Sequence, residues 1–245
     1  MAIESYRAAE MQLAAEARAE QFPGLGIVVG LIQKAAGLGG LELTKFEEFC
    51  LDAIQKNSRG NLAFLFRSLV QDVERIDLNL EAFESAGQAE SEALNELVSE
   101  AVARATEAKS KERVERIAHV LANTLRSGPK KSYETERELI DTAIQVSEPD
   151  AFVLGVMMRH QGATVKSAVG IADLNAVNDT WKRMMQENQE FKDPHIHVSC
   201  ARLQAHGLIV RMERNTMAID LATNPYSLTT FGVQFCEWCL QEPCA

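Results

Sequence analysis

Aromatic residues are scarce in this chain of 245 residues, at 6%, and glycine and proline number only 14 and six. Strands draw on aromatic and β-branched residues, and their turns on glycine and proline, so these shortages argue against a β-rich sandwich. Positive charge is also short. Twenty-five lysines and arginines face 35 acids, for a net charge of −10, which excludes a uniformly basic coat for nucleic acid. Long apolar runs are missing as well. The longest uncharged apolar stretch, residues 24–32 within the glycine-containing segment 22–40, is too short to span a bilayer as a helix. Catalytic signatures are missing too: there is no GK[ST] loop, no GxSxG and no HExxH, and Gly37-x-Gly39-Gly40 is too irregular for a dinucleotide loop.

What is present is helical. Leu62, Phe66, Leu69, Val73, Ile76, Leu80 and Phe83 follow a 4,3 spacing, with Asp72, Glu74 and Arg75 off the seam. After a break at SAGQAES, Leu94, Val98, Ala101, Ala105 and Ala108 repeat that spacing. Two matching seams with a short connection predict an antiparallel helical hairpin, or a dimer using the same residues. The charged stretch KSKERVER interrupts the phase, and Val114, Ala118, Leu121 and Leu125 resume it one residue out of register. His119 reads as a helix-face residue. Gly128-Pro129 stops the helix. Thr135-x-x-Glu138 and Ser147-x-x-Asp150 read as capping boxes opening two further helices. Charge divides near the same place: residues 1–150 hold 26 acids and 17 bases, whereas 151–245 are nearly neutral. The expected organisation is a helical bundle over 1–128, a connecting helix over 129–147, and a separate module over 148–245.

In that module a helix AFVLGVMMRHQ is expected to stop at Gly162. A second runs over roughly 174–190, with Val177, Trp181, Met184 and Met185 on one side. A third, HIHVSCARLQAHG, ends at Gly207. LIVRME and MAIDLA then read as a β-hairpin turning at RNT, and Thr229 or Thr230 as the cap of a last helix. "ARLQAHGLIVRM" resembles the end of a winged-helix third helix entering the first wing strand. "YSLTTFGVQFCEWC" resembles the LT-x-x-G-x-x-F segment that follows the second strand in many prokaryotic winged-helix proteins. The resemblance implies a mainly α protein whose C-terminal domain is a winged helix, α+β with a small β-hairpin, serving either DNA or protein contact. The succession RIAHVLANTLRSG, an acidic helix, SEPDAFVLGVM and the wing is similar to bacterial proteins of the abortive-infection alpha type, which implies phage defence or stress response.

If the module reads DNA, the third helix supplies the surface. At about 100° per residue, Ile196, Cys200 and Leu203 share a core face, and His195, Ser199, Arg202 and His206 form an adjacent polar stripe. Arg211 and Arg214 on the wing add two charges. Arginine reads guanine edges, and serine or histidine meets phosphate. Three arginines are a thin footprint where binders commonly neutralise about six to ten phosphates, so protein contact is the expectation and DNA the alternative.

Five cysteines, an odd number, and an N-terminus without an apolar signal core point to reduced thiols and a cytoplasmic protein. Cys236-x-x-Cys239 has the spacing of half a zinc site, with Cys244 and His195-x-His197-x-x-Cys200 as the nearest other donors. No second CxxC joins it, and core cysteines are the simpler expectation. Glu237 and Glu242 disfavour a nucleophilic thiolate there. Glu134, Glu136, Glu138 and Asp141 read as a solvated face. The expected protein is therefore non-enzymatic and without cofactor or integral membrane segment: a helical region that binds a protein partner or forms a homodimer, joined to a winged helix. A DNA-binding dimeric regulator and a membrane-acting effector using 22–40 are the competing readings.

Overall fold

Among the described residues, helices form where the apolar spacing above repeats, and a short two-stranded antiparallel sheet lies near the C-terminus. The structure, a computed structural model, describes residues 60–73, 87–167, 174–188, 195–212 and 226–240. The readings made on 22–40, on Ile76, Leu80 and Phe83, on the 217–222 strand and on Arg214 lie outside the described residues. The chain divides into two units, Met1–Glu138 and Leu139–Ala245, and each is described by itself.

In the first unit, α1 (Asn61–Val73), α2 (Gln88–Glu107) and α3 (Lys111–Ser127) bury their apolar seams. Leu62, Phe66 and Leu69 of α1 are buried as the spacing requires, as are Leu94, Val98, Ala101 and Ala105 of α2 and Val114, Ala118, Leu121 and Leu125 of α3. The phase slip at KSKERVER is a true break: Ala108 is extended, and Ser110 caps a new helix by accepting from the Arg113 N–H at 3.4 Å.

The expected α1–α2 hairpin accounts for only part of the packing, because the principal neighbour of α1 is α3. Three contacts fix that pairing at one offset. The Asn61 amide donates to the Ala108 carbonyl at 2.7 Å, the Lys111 ammonium lies over the Phe64 ring, and Asp72 meets His119. In each the partners are 47 residues apart, so α1 runs alongside α3 in the same direction. Asp72 is buried, although the seam places it on the polar side, because that side of α1 is covered by α3.

Gly128 ends α3 with φ +82°, a backbone conformation glycine adopts without strain. The following loop is pinned by the buried Tyr133, whose phenol oxygen accepts from the Lys130 N–H at 3.0 Å, and by the Lys130–Glu136 ion pair at 2.5 Å. These contacts start α4 (Glu134–Gln145) at Glu134, one residue before the expected Thr135 cap, and the Arg137 N–H donates to the Tyr133 carbonyl at 2.9 Å. Thr135 and Glu138 therefore lie inside the helix.

In the second unit the other elements gather around α5 (Glu148–Ser167), which buries Val153, Leu154, Val156, Met157 and Met158. Apolar residues on nearly all sides suit a central helix. It runs through Gly162 and on to Ser167 instead of stopping at the glycine. Around it are α6 (Leu174–Glu187), with Trp181 and Met184 buried, and α7 (His195–Ala205), with Ile196, Cys200 and Leu203 buried. Strand β1 (Ile209–Arg211) pairs antiparallel with β2 (Tyr226–Leu228), Val210 opposite Ser227. Thus the described partner of β1 is YSL. The Gln161 side chain reaches from α5 to β2, donating to the Tyr226 carbonyl at 2.9 Å and accepting from the Leu228 N–H at 3.2 Å. Helix α8 (Thr230–Phe235) follows and widens into a π-helix over Cys236–Leu240. Among the described residues no helix is long and apolar enough to cross a membrane.

Candidate interaction surface on the third helix of the C-terminal unit

Two local devices set the orientation of α7. Gly207 closes the helix with φ +70°, and the Leu208 N–H returns to the Leu203 carbonyl at 3.0 Å, a Schellman ending. Thr229 then ties that ending to α8. Its hydroxyl accepts from the Gly232 N–H at 2.9 Å as the predicted N-cap, and it donates to the Gly207 carbonyl at 2.7 Å. Gly232 sits so close that a Cβ there would lie 1.9 Å from the Leu208 carbonyl oxygen. The glycine of the LT-x-x-G phrase is thus a site of close backbone approach.

Asp150 decides the chemistry of the flank that α7 turns toward α5. It belongs to the predicted capping box: its carboxylate accepts from the Ser147 N–H at 3.1 Å and from the Ser147 hydroxyl at 2.5 Å, and its own N–H donates back to the Ser147 Oγ at 3.4 Å. Arg202 approaches the same carboxylate from α7, with Nε at 3.1 and 3.2 Å from its two oxygens and Nη2 at 2.6 Å from Oδ1. A further contact runs from Nη2 to the Ser199 hydroxyl at 3.3 Å. Burial pushes the Asp150 carboxyl up, but the hydrogen bonds from Arg202, Ser147 and Ser199 outweigh it and hold the group below the usual carboxylate range. Reciprocally, the bond to Asp150 raises Arg202.

Part of the stripe expected to face DNA is therefore engaged by α5: Ser199 is buried and Arg202, although exposed, is paired with Asp150, whereas His195 is exposed and His206 is half-buried just past the helix end. Projection supplies the reason. At about 100° per residue, the outermost ridge opposite Ile196, Cys200 and Leu203 consists of Val198, Ala201 and Ala205, with Arg202 at its edge. All four are exposed, Val198 by 51%. Arg211, half-exposed on β1, stands across the sheet from Tyr226.

The cysteines fall in the core. Cys200, Cys236 and Cys239 are buried thiols, and Cys236 donates to the Leu154 carbonyl at 3.8 Å. Burial, with Asp150 nearby, pushes the Cys200 thiol up to about 12. Cys236 and Cys239 lie in the π-helix, whose i→i+5 bonding turns residues three apart further from one another than an α-helix does. Among the described residues no group of three or more His, Cys, Asp or Glu side chains could hold a metal ion.

No protein-family model matches the chain, and no curated protein or solved structure matches it.

Proposed function

We propose that this chain is a non-enzymatic interaction protein whose residues 148–245 form a winged-helix-like module that binds another protein through the outer ridge of α7. The observation that carries the reading is the Asp150–Arg202 pair. It engages the one lysine or arginine of α7 with a buried carboxylate, while the ridge left outermost bears methyl groups. A helix that reads base edges needs polar donors on that ridge. The ridge carries no lysine or acid and has arginine at its edge, in keeping with protein interfaces, whose cores are depleted of charge and which are enriched in arginine. The helical first unit, with its net negative charge, is the oligomerising or second partner-binding region, and the protein is cytoplasmic. Likeness to the abortive-infection alpha type gives the same reading a setting in phage defence or stress response.

Titrating the full chain into a short DNA duplex at low and physiological salt tests this. The expected result is no saturable binding beyond the weak background of an acidic protein. Tight binding with a steep salt dependence that Arg202→Gln/Arg211→Gln abolishes would make the module a DNA reader instead.

A further inference from the structure

Arg202 is exposed and positioned at the same time. Its side chain is 45% exposed, whereas that of Asp150, which holds it, is 2% exposed. Because Nε and Nη2 are occupied by the Asp150 carboxylate, the guanidinium lies side-on to α5. Nη1, on the opposite edge of the plane, makes no bond within the described residues, which leaves its two N–H donors for a further acceptor. One turn back on the same face is Val198, with Ala201 and Ala205 beside it. An oriented guanidinium loses little further entropy when it binds an oxyanion, and it suits planar carboxylates particularly well.

Resting on the protein-binding reading of this module, we propose that α7 docks a partner segment that places an aspartate or glutamate carboxylate on Nη1 of Arg202 and an aliphatic side chain against Val198, Ala201 and Ala205. Charge and shape select that occupant together. Asp150 offsets most of the arginine's long-range field, which leaves a short-range directional donor poorly suited to gathering the many phosphates of a duplex. The alanines and Val198 form an exposed apolar ridge beside the arginine, against which leucine, isoleucine or valine can pack.

Panning the full chain against a phage-displayed random peptide library, then titrating the recovered peptides as synthetic chains, tests the proposal. The expected peptides share an acid close to an aliphatic residue. Replacing that acid by its amide should weaken binding about tenfold, as should Val198→Asp in the protein. Arg202→Gln leaves a buried carboxylate without its cation, so Arg202→Lys, which keeps the charge but loses the planar fork, is measured beside it. On the Lys background the peptide's acid-to-amide change should cost clearly less than on wild type. Recovered peptides without acids that still lose affinity with Val198→Asp would overturn the carboxylate partner and leave the protein-binding reading standing. No enrichment, or binding indifferent to both positions, would overturn the proposal. DNA binding lost with Arg202→Gln would overturn both readings.

Discussion

Asp72 on α1 is hydrogen-bonded to Nδ1 of His119 on α3, both side chains nearly enclosed, at the same offset of 47 residues that joins Asn61 to Ala108. The 11 residues from Asn61 to Asp72 make about three helical turns, so both contacts return to one face of α1. Apolar seams tolerate sliding by a heptad. A buried hydrogen-bonded pair does not, because every slipped register leaves a carboxylate in the core. Asp72→Ala should therefore destabilise the first unit by about 1–3 kcal/mol. The double variant Asp72→Leu/His119→Leu should recover part of that loss. Urea unfolding of the single and double variants checks both, and equal additive losses would show no coupling between the two side chains.

Gly232 is held against the Leu208 carbonyl, and no rotamer change can relieve a Cβ placed 1.9 Å from a backbone oxygen. Gly232→Ala should force α8 away from the end of α7 and cost about 1–3 kcal/mol. A thermal melt followed by far-UV circular dichroism reads this as a lowered Tm. An unchanged Tm would mean that the two segments separate without cost.

Much of this architecture is legible in sequence because it is local. Ser147 and Asp150 are three residues apart, as are Thr229 and Gly232, and both caps form as their spacing implies. The seams of α1, α2 and α3 declare which sides are buried. They do not declare the neighbour, since an apolar stripe fits any other apolar stripe, and α1 lies chiefly along α3 when the nearer seam is on α2. The same limit explains Ser199 and Arg202. A helical projection gives angles between residues of α7 but says nothing of which flank another helix covers. The group that covers this one, Asp150, is 52 residues from Arg202.

Acid should weaken the Asp150 network. The folded carboxyl is held below its ordinary value, so its contribution is fully present above the unfolded carboxylate range and is lost as pH falls through the folded value. The difference in unfolding free energy between wild type and Asp150→Asn should stay constant at neutral pH and shrink below about pH 4. Urea midpoints collected across that range check it. A difference independent of pH down to the acid limit would mean that the charge of Asp150 contributes nothing.

Tyr133 carries the opposite sign. Burial raises its phenol, with a smaller contribution from the nearby Glu136 and Glu90, partly opposed by the bond from the Lys130 N–H. Its contribution is fully present below the unfolded tyrosine value, near about pH 10, and is lost as pH rises through the higher folded value. Burial also raises the Tyr226 phenol, so spectrophotometric titration should show two of the three tyrosines ionising late, and Tyr133→Phe should remove one of those two late steps.

Thiol chemistry separates the core reading of Cys236 and Cys239 from a metal or nucleophilic one. Reactivity follows the thiolate and its access, and Cys200, Cys236 and Cys239 are buried, with Cys200 pushed up to about 12. In the native protein all three should resist alkylation by iodoacetamide at neutral pH and label only as fast as the second unit opens. Peptide mass spectrometry of a labelling time course, with and without urea, resolves each position. Rapid native labelling of Cys236 or Cys239 would place that thiol at the surface, and protection that disappears on adding a chelator would reveal a bound metal where the core explanation predicts none.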